Sequence, residues 1–221
     1  MKRPMRKPCA TFYFSVEGET EATYLRWLQN TINESGKAAY TVCFDIKVCS
    51  PVSRVKRMTV PQRVTIYHFC DCESASEEHQ KRFKGFLDEM KNAEKFGKQV
   101  TYVLGYCNFS FELWILMHVT NAQRSLTDRS HYLKELNHAF HEHFTSIKEF
   151  KKEKNLTKIF EKLTLEDVRR AIKHSEELMK QKKECQALSE KYKKFSFYKE
   201  NPSLSLGAIF AEIFKKVNLE L

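Results

Sequence analysis

Apolar and polar positions alternate along Thr11-Phe12-Tyr13-Phe14-Ser15-Val16, the period of two that a β-strand imposes. The pattern changes at once afterwards. Tyr24, Leu25, Trp27, Leu28 and Ile32 recur at the spacing of an amphipathic helix. A second strand is predicted from Tyr40 to Cys49, where Val42, Phe44, Ile46 and Val48 alternate with polar residues. Residues 50 to 62 are just long enough for a short crossover helix between parallel strands. Val64 to Phe69 is mostly apolar, as a strand covered on both faces should be, and it ends at Cys70-Asp71-Cys72-Glu73. Ser74 or Ser76 then caps a helix to about Phe96, with Phe83, Phe86, Leu87 and Met90 on one face and Gly97 as its stop. Gln99 to Tyr106 supplies the fourth strand. This order, β-α-β-α-β-α-β, predicts an α/β fold with a parallel sheet flanked by helices.

The second half reads differently. Cys107 to Val119 predicts a buried helix, too short to span a membrane, with Glu112 and His118 in apolar company. From Ser125 onward the patterns are helical. Thr164-Leu165-Glu166-Asp167 opens a long helix with Leu165, Val168, Ile172, Leu178, Met179, Leu188 and Tyr192 at near-heptad spacing. Asn201-Pro202-Ser203-Leu204-Ser205 is a turn, and Leu206, Ile209, Phe210 and Ile213 form the apolar face of a terminal helix. The expected organisation is an α/β domain over residues 1–120 and a basic helical region over 121–221 packed on it.

Composition narrows the picture. With 42% apolar residues and seventeen Phe in 221 residues, the chain can bury a proper core. No stretch approaches the roughly 18 apolar residues of a membrane span, and the basic N-terminus lacks the apolar core of a signal peptide. A cytoplasmic protein is expected. Seven cysteines without regular spacing fit reduced thiols. The net charge is +10, and between Lys148 and Lys199 16 Lys and Arg stand against 9 Asp and Glu, an excess of 7. That footprint suits a polyanion, nucleic acid being the commonest, although a solvated helical surface explains it equally. Candidate phosphate contacts are Arg54, Lys56, Arg57 and Arg63 around the crossover, and Lys151, Lys152, Lys154, Arg169 and Arg170 in the basic half. The pair His138 and His141 has no flanking acid or thiol and reads as surface.

Acids gather where strands end. Glu17 follows the first strand, Asp71 and Glu73 the third, and Glu112 lies just past the fourth. Ligands of open α/β sheets bind outside the carboxyl ends of the strands, and adjacent parallel strands lie about 4.8 Å apart, so such carboxylates can share one divalent ion. Oxygen ligands select Mg²⁺ or Mn²⁺ over zinc. A remaining carboxylate such as Glu17 could serve as general base or acid in phosphodiester cleavage. Helix capping accounts for part of this stretch without any site: Thr20 would be the cap, with Glu19 and Glu21 complementing the dipole. Glu17 lies before that cap and is left unexplained by it.

Glu17-Gly18 after the first strand and Asp71-Cys72-Glu73 after the third resemble the Toprim fold shared by topoisomerases, primases and OLD-type nucleases. More closely, Val16-Glu17-Gly18-Glu19-Thr20-Glu21, Asn108, Phe111-Glu112-Leu113-Trp114 with His118, and Asn201-Pro202-Ser203 resemble the RloB family, in the right order from Phe12 to about Leu206. That family usually shows Ser-Asn-Pro-Cys-Phe-Glu where this chain has Cys107, Phe109 and Ser110 in the first, third and fourth places, and Glu73 replaces the second aspartate of Asp-x-Asp. The resemblance implies a Mg²⁺-dependent nuclease-like effector of prokaryotic anti-phage defence, acting on RNA or tRNA, with Glu17, Asp71, Glu73 and Glu112 as catalytic residues and the first three holding the metal. It also implies an ABC-type ATPase as partner. The other reading is a non-catalytic sensor or adaptor that binds nucleic acid or nucleotide beside such an ATPase. Oligomeric state, a homo-oligomer included, stays open at this level.

Overall fold

The computed structural model describes residues 7–60, 62–72, 76–121 and 129–220. Strands β1 (Cys9–Val16), β2 (Thr41–Val48), β3 (Val64–Cys72) and β4 (Val100–Asn108) form one parallel sheet in the order β2-β1-β3-β4. Helices α1 (Glu19–Ser35), α2 (Pro51–Lys56) and α3 (Glu77–Ala93) are the crossovers that parallel neighbours require. The α/β class expected from the alternating patterns is the class observed.

Side-chain alternation sorts the core to the two faces of the sheet. Phe12, Phe14 and Val16 of β1, with Tyr67 and Phe69 of β3, pack into one core with α1. Ile66 and Cys70 of β3 join Tyr102, Leu104 and Tyr106 of β4 in a second core with Phe83 and Leu87 of α3. The later helices α4 (Glu112–Met117), α5 (Arg129–Phe140), α6 (Ile147–Phe150), α7 (Glu153–Phe160), α8 (Leu165–Glu184) and α9 (Leu206–Lys216) enlarge the first core, while Phe195 and Phe197 join the second. Trp114 of α4 stacks on Phe210 of α9 with ring centroids 5.0 Å apart. The return into α9 also covers the outer edge of β4: Asn108 N–H donates to Ser203 O and Ser205 N–H to Tyr106 O, each at 2.9 Å. An edge strand left bare would invite pairing with another chain.

Several boundaries differ from expectation. β3 does not stop at Phe69, because pairing with β4 continues through Asp71 opposite Cys107 and Cys72 opposite Asn108. The helix expected from Cys107 therefore starts only at Glu112. Thr20 lies inside α1, whose N-cap is Gly18. Ser76 caps α3, with Oγ accepting from His79 N–H at 3.4 Å, and α3 ends at Ala93. The long helix α8 begins at its Thr164–Asp167 capping box as expected, but it ends at Glu184. Gln186 takes a left-handed conformation there, and Leu188 and Tyr192 pass into a hairpin, β5 (Ser189–Tyr192) and β6 (Phe195–Tyr198). A heptad count does not register that break. All seven cysteines are free thiols. Among the described residues no helix is long and apolar enough to cross a membrane.

Gly105 shows how tightly β4 meets the terminal helix. A Cβ at this position would overlap the Phe69 ring and press on Leu206. Gly105→Ala is expected to lower stability by about 1–3 kcal/mol through overpacking, read as a reduced midpoint in urea unfolding with an unchanged slope.

Candidate functional site

β1 and β3 are neighbours, with Val16 opposite Phe69, and Glu17 N–H donates to Phe69 O at 3.1 Å. The chain thus leaves β1 beside the end of β3. Glu17 Oε2 accepts from Asp71 N–H at 3.2 Å, and Arg82 of α3 pairs with Glu17 Oε1. Asp71 itself is still in the ladder between β3 and β4. After β4 the backbone turns over the end of β3. Phe109 adopts a left-handed conformation (φ 64°) and its N–H donates to Cys72 O at 2.9 Å; a proline there could do neither. This turn delivers Glu112, which opens α4 and is 1% exposed.

Glu21 is a further carboxylate of the site, and capping logic assigned it only to the helix dipole. It heads the buried face of α1 with Tyr24, Leu25 and Leu28, and is 5% exposed. That shared periodicity was the available signal. Gly18 is extended (φ −140°), a conformation open to any residue, so its role is space: a Cβ there would come within 3.0 Å of Glu21 Oε2. One turn on, Tyr24 ties α1 to α4. Tyr24 OH lies 2.9 Å from His118 Nε2, and His118 Nδ1 lies 2.9 Å from Trp114 O. A carbonyl can only accept, so Nδ1 carries the hydrogen and Nε2 accepts from the tyrosine. Burial lowers the His118 pKa to about 4, and the ring is neutral at pH 7.

One lysine reaches into the acids. Lys151, the residue after α6, places Nζ 3.1 Å from Glu112 Oε1 as an ion pair, although the angles leave that oxygen without a hydrogen bond. Burial raises the Glu21 pKa to about 7; a backbone hydrogen bond and Lys151 oppose the rise, while Glu112 and Glu17 add to it. Burial, then repulsion from Glu21 and Glu112, pushes Asp71 well above the ordinary carboxylate range. Burial works against the charge of Lys151, yet Glu112 and Asp71 outweigh it and hold the lysine above its ordinary value. The carboxylates feel one another. A carboxyl near neutrality in such a cluster is suited to proton transfer.

The structure brings Glu17, Asp71, Glu112 and Lys151 together. Glu73 lies outside the described residues. Arg54 is buried, with Nη2 2.7 Å from Asp45 Oδ2, so its guanidinium is engaged within the fold. Lys56, Arg57 and Arg63 are exposed near the amino end of β3, a strand's length from Asp71, roughly 25 Å. Lys152 and Lys154 are exposed on the same turn as Lys151. Arg169 bonds Glu220 O and Glu166, and Arg170 bonds His118 O and Asp167. His138 and His141 are exposed.

The donor set is oxygen-only, the kind that favours Mg²⁺ or Mn²⁺. Among the described residues, however, no three His, Cys, Asp or Glu side chains are arranged to hold a metal ion. As they stand, with Lys151 against Glu112, these residues do not fit one.

Buried, interacting acids at the carboxyl end of a parallel sheet define an α/β protein with its ionisable site at the sheet's rim. The chain belongs to the RloB-like family, whose model, described as RloB-like protein, matches residues 12–203. No curated protein and no solved structure matches it.

Glu21 generates a pH prediction. Its folded value of about 7 exceeds the ordinary 4.5, so the folded state holds a proton that the unfolded state releases in that interval. Stability is then undiminished below about pH 4.5, falls as pH rises, and has lost this contribution above about 7. Glu21→Gln is expected to reduce that slope and to exceed the wild type at about pH 8 by on the order of 1–3 kcal/mol. Urea unfolding across this range measures both, and an unchanged slope contradicts the assignment.

Proposed function

We propose that the chain is a nuclease-like effector that hydrolyses nucleic-acid phosphodiesters at the carboxyl end of its sheet, RNA and tRNA being the favoured substrates. The observation that carries this reading is the convergence of Glu17, Glu21, Asp71 and Glu112 at the rim. Glu21 and Asp71, with raised pKa values, are the groups suited to give or take the proton that bond cleavage requires. Mg²⁺ or Mn²⁺ enters this reading through the oxygen-only donor set, although the described acids as they stand do not offer three ligands to one ion. The exposed Lys152 and Lys154 beside the site suit a phosphate backbone. An ABC-type ATPase as partner and a role in anti-phage defence belong to the same proposal, supported by membership of the RloB-like family.

One observation favours a second reading, a non-catalytic binding module that passes its signal to a partner. Arg82 and Lys151 already partner two of the acids, as they would in a site that performs no chemistry.

Cleavage assays separate the two. Wild type and Asp71→Asn are incubated with a tRNA pool or plasmid DNA in Mg²⁺, Mn²⁺ or EDTA, with circular dichroism as the check on folding. The nuclease reading expects metal-dependent cleavage by the wild type and a loss of at least about a hundredfold in the folded variant. Intact substrates, together with salt-sensitive binding that survives the substitution, would establish the binding module instead.

A further inference from the structure

The cation that stands beside Glu112 is supplied by the chain itself. Lys151 Nζ stands 3.1 Å from Glu112 Oε1, within the field of Asp71 and Glu21. Glu112 is 1% exposed, so this ammonium is its counter-charge inside the fold. The lysine is held in position. The residue before it, Phe150, is fully buried, and Lys151 N–H donates to Ile147 O at 2.9 Å. Asn155 Nδ2 closes the same turn on Glu149 O at 2.8 Å. The lysine side chain nevertheless remains 34% exposed, with a way out to solvent.

An ammonium and a divalent ion cannot both sit against one carboxylate without strong mutual repulsion. We propose that Lys151 is an internal counter-cation that keeps divalent metal out of the resting site and is drawn away when a phosphate of the polyanion pairs with it. The inference rests on the acidic rim being the functional site, and it adds how that site is regulated.

Mn²⁺ binding followed by electron paramagnetic resonance tests it, on the full chain without nucleic acid, in mildly alkaline buffer. Lys151→Met is expected to bind Mn²⁺ at least about tenfold more tightly than the wild type, while Lys151→Arg, which keeps the charge, stays close to the wild type. Adding Glu112→Gln to Lys151→Met should cancel the gain. Equal or weaker binding by Lys151→Met, including no binding by either protein, overturns the proposal. Should Lys151→Met prove unfolded by circular dichroism, the proposal requires Mn²⁺ to restore the fold, and failure to do so overturns it equally. Since no substrate is present, a missing nuclease activity would count against the proposed function and leave this result standing.

Discussion

Placing Glu17, Glu21, Asp71 and Glu112 at one end of one sheet is the constraint on which the rest of this structure turns. Like charges with little water around them repel strongly, and each buried carboxylate loses hydration. The fold answers in three ways. Arg82 pairs with Glu17, Lys151 pairs with Glu112, and burial raises the pKa values of Glu21 and Asp71, which eases their loss of hydration. None of these is the cheapest route to stability, since well-packed apolar residues would serve better than buried ions. Concentrating ionisable groups at such cost is characteristic of sites that act.

The surrounding architecture fixes where each acid arrives. Register places Glu17 beside Asp71, because β1 and β3 are adjacent and Val16 faces Phe69. The left-handed Phe109 turns the chain from β4 into α4 and so sets the height of Glu112. Tyr24 and neutral His118 lock α1 to α4, which brings Glu21 under the same roof. Asn108 Nδ2 donates to Tyr198 O and Lys199 O, each at 3.1 Å, tying the hairpin's return to the rim. The second half of the chain is thus part of the site's support, and its α6–α7 turn contributes a residue to the site itself.

Much of this was legible in the sequence. Strand and helix patterns predicted the parallel α/β sheet, and acids at the ends of the first and third strands pointed to its rim. The position of Glu112 was visible too, as an ionisable residue opening an apolar run. Glu21 was obscured because an acid in a helix's first turn has a ready local explanation, although it shares a face with Tyr24 and Leu28. Lys151 could not be singled out among the lysines of its half, since only tertiary contact distinguishes it from exposed Lys152 and Lys154. Likewise the hairpin of Ser189–Tyr198 hides behind residues that continue the helical count, and Arg54 looked like its basic neighbours until Asp45 was seen against it.

The measurement that bears most directly on this account is a double-mutant cycle on the ion pair, using urea unfolding of wild type, Glu112→Gln, Lys151→Met and the double variant. If Lys151 neutralises a buried Glu112, each single substitution leaves a charge unpaired and the double variant recovers part of the loss. The account predicts a coupling of at least about 1 kcal/mol. Strictly additive effects would mean that the two residues do not depend on each other, and the charge-balanced rim described here would be wrong.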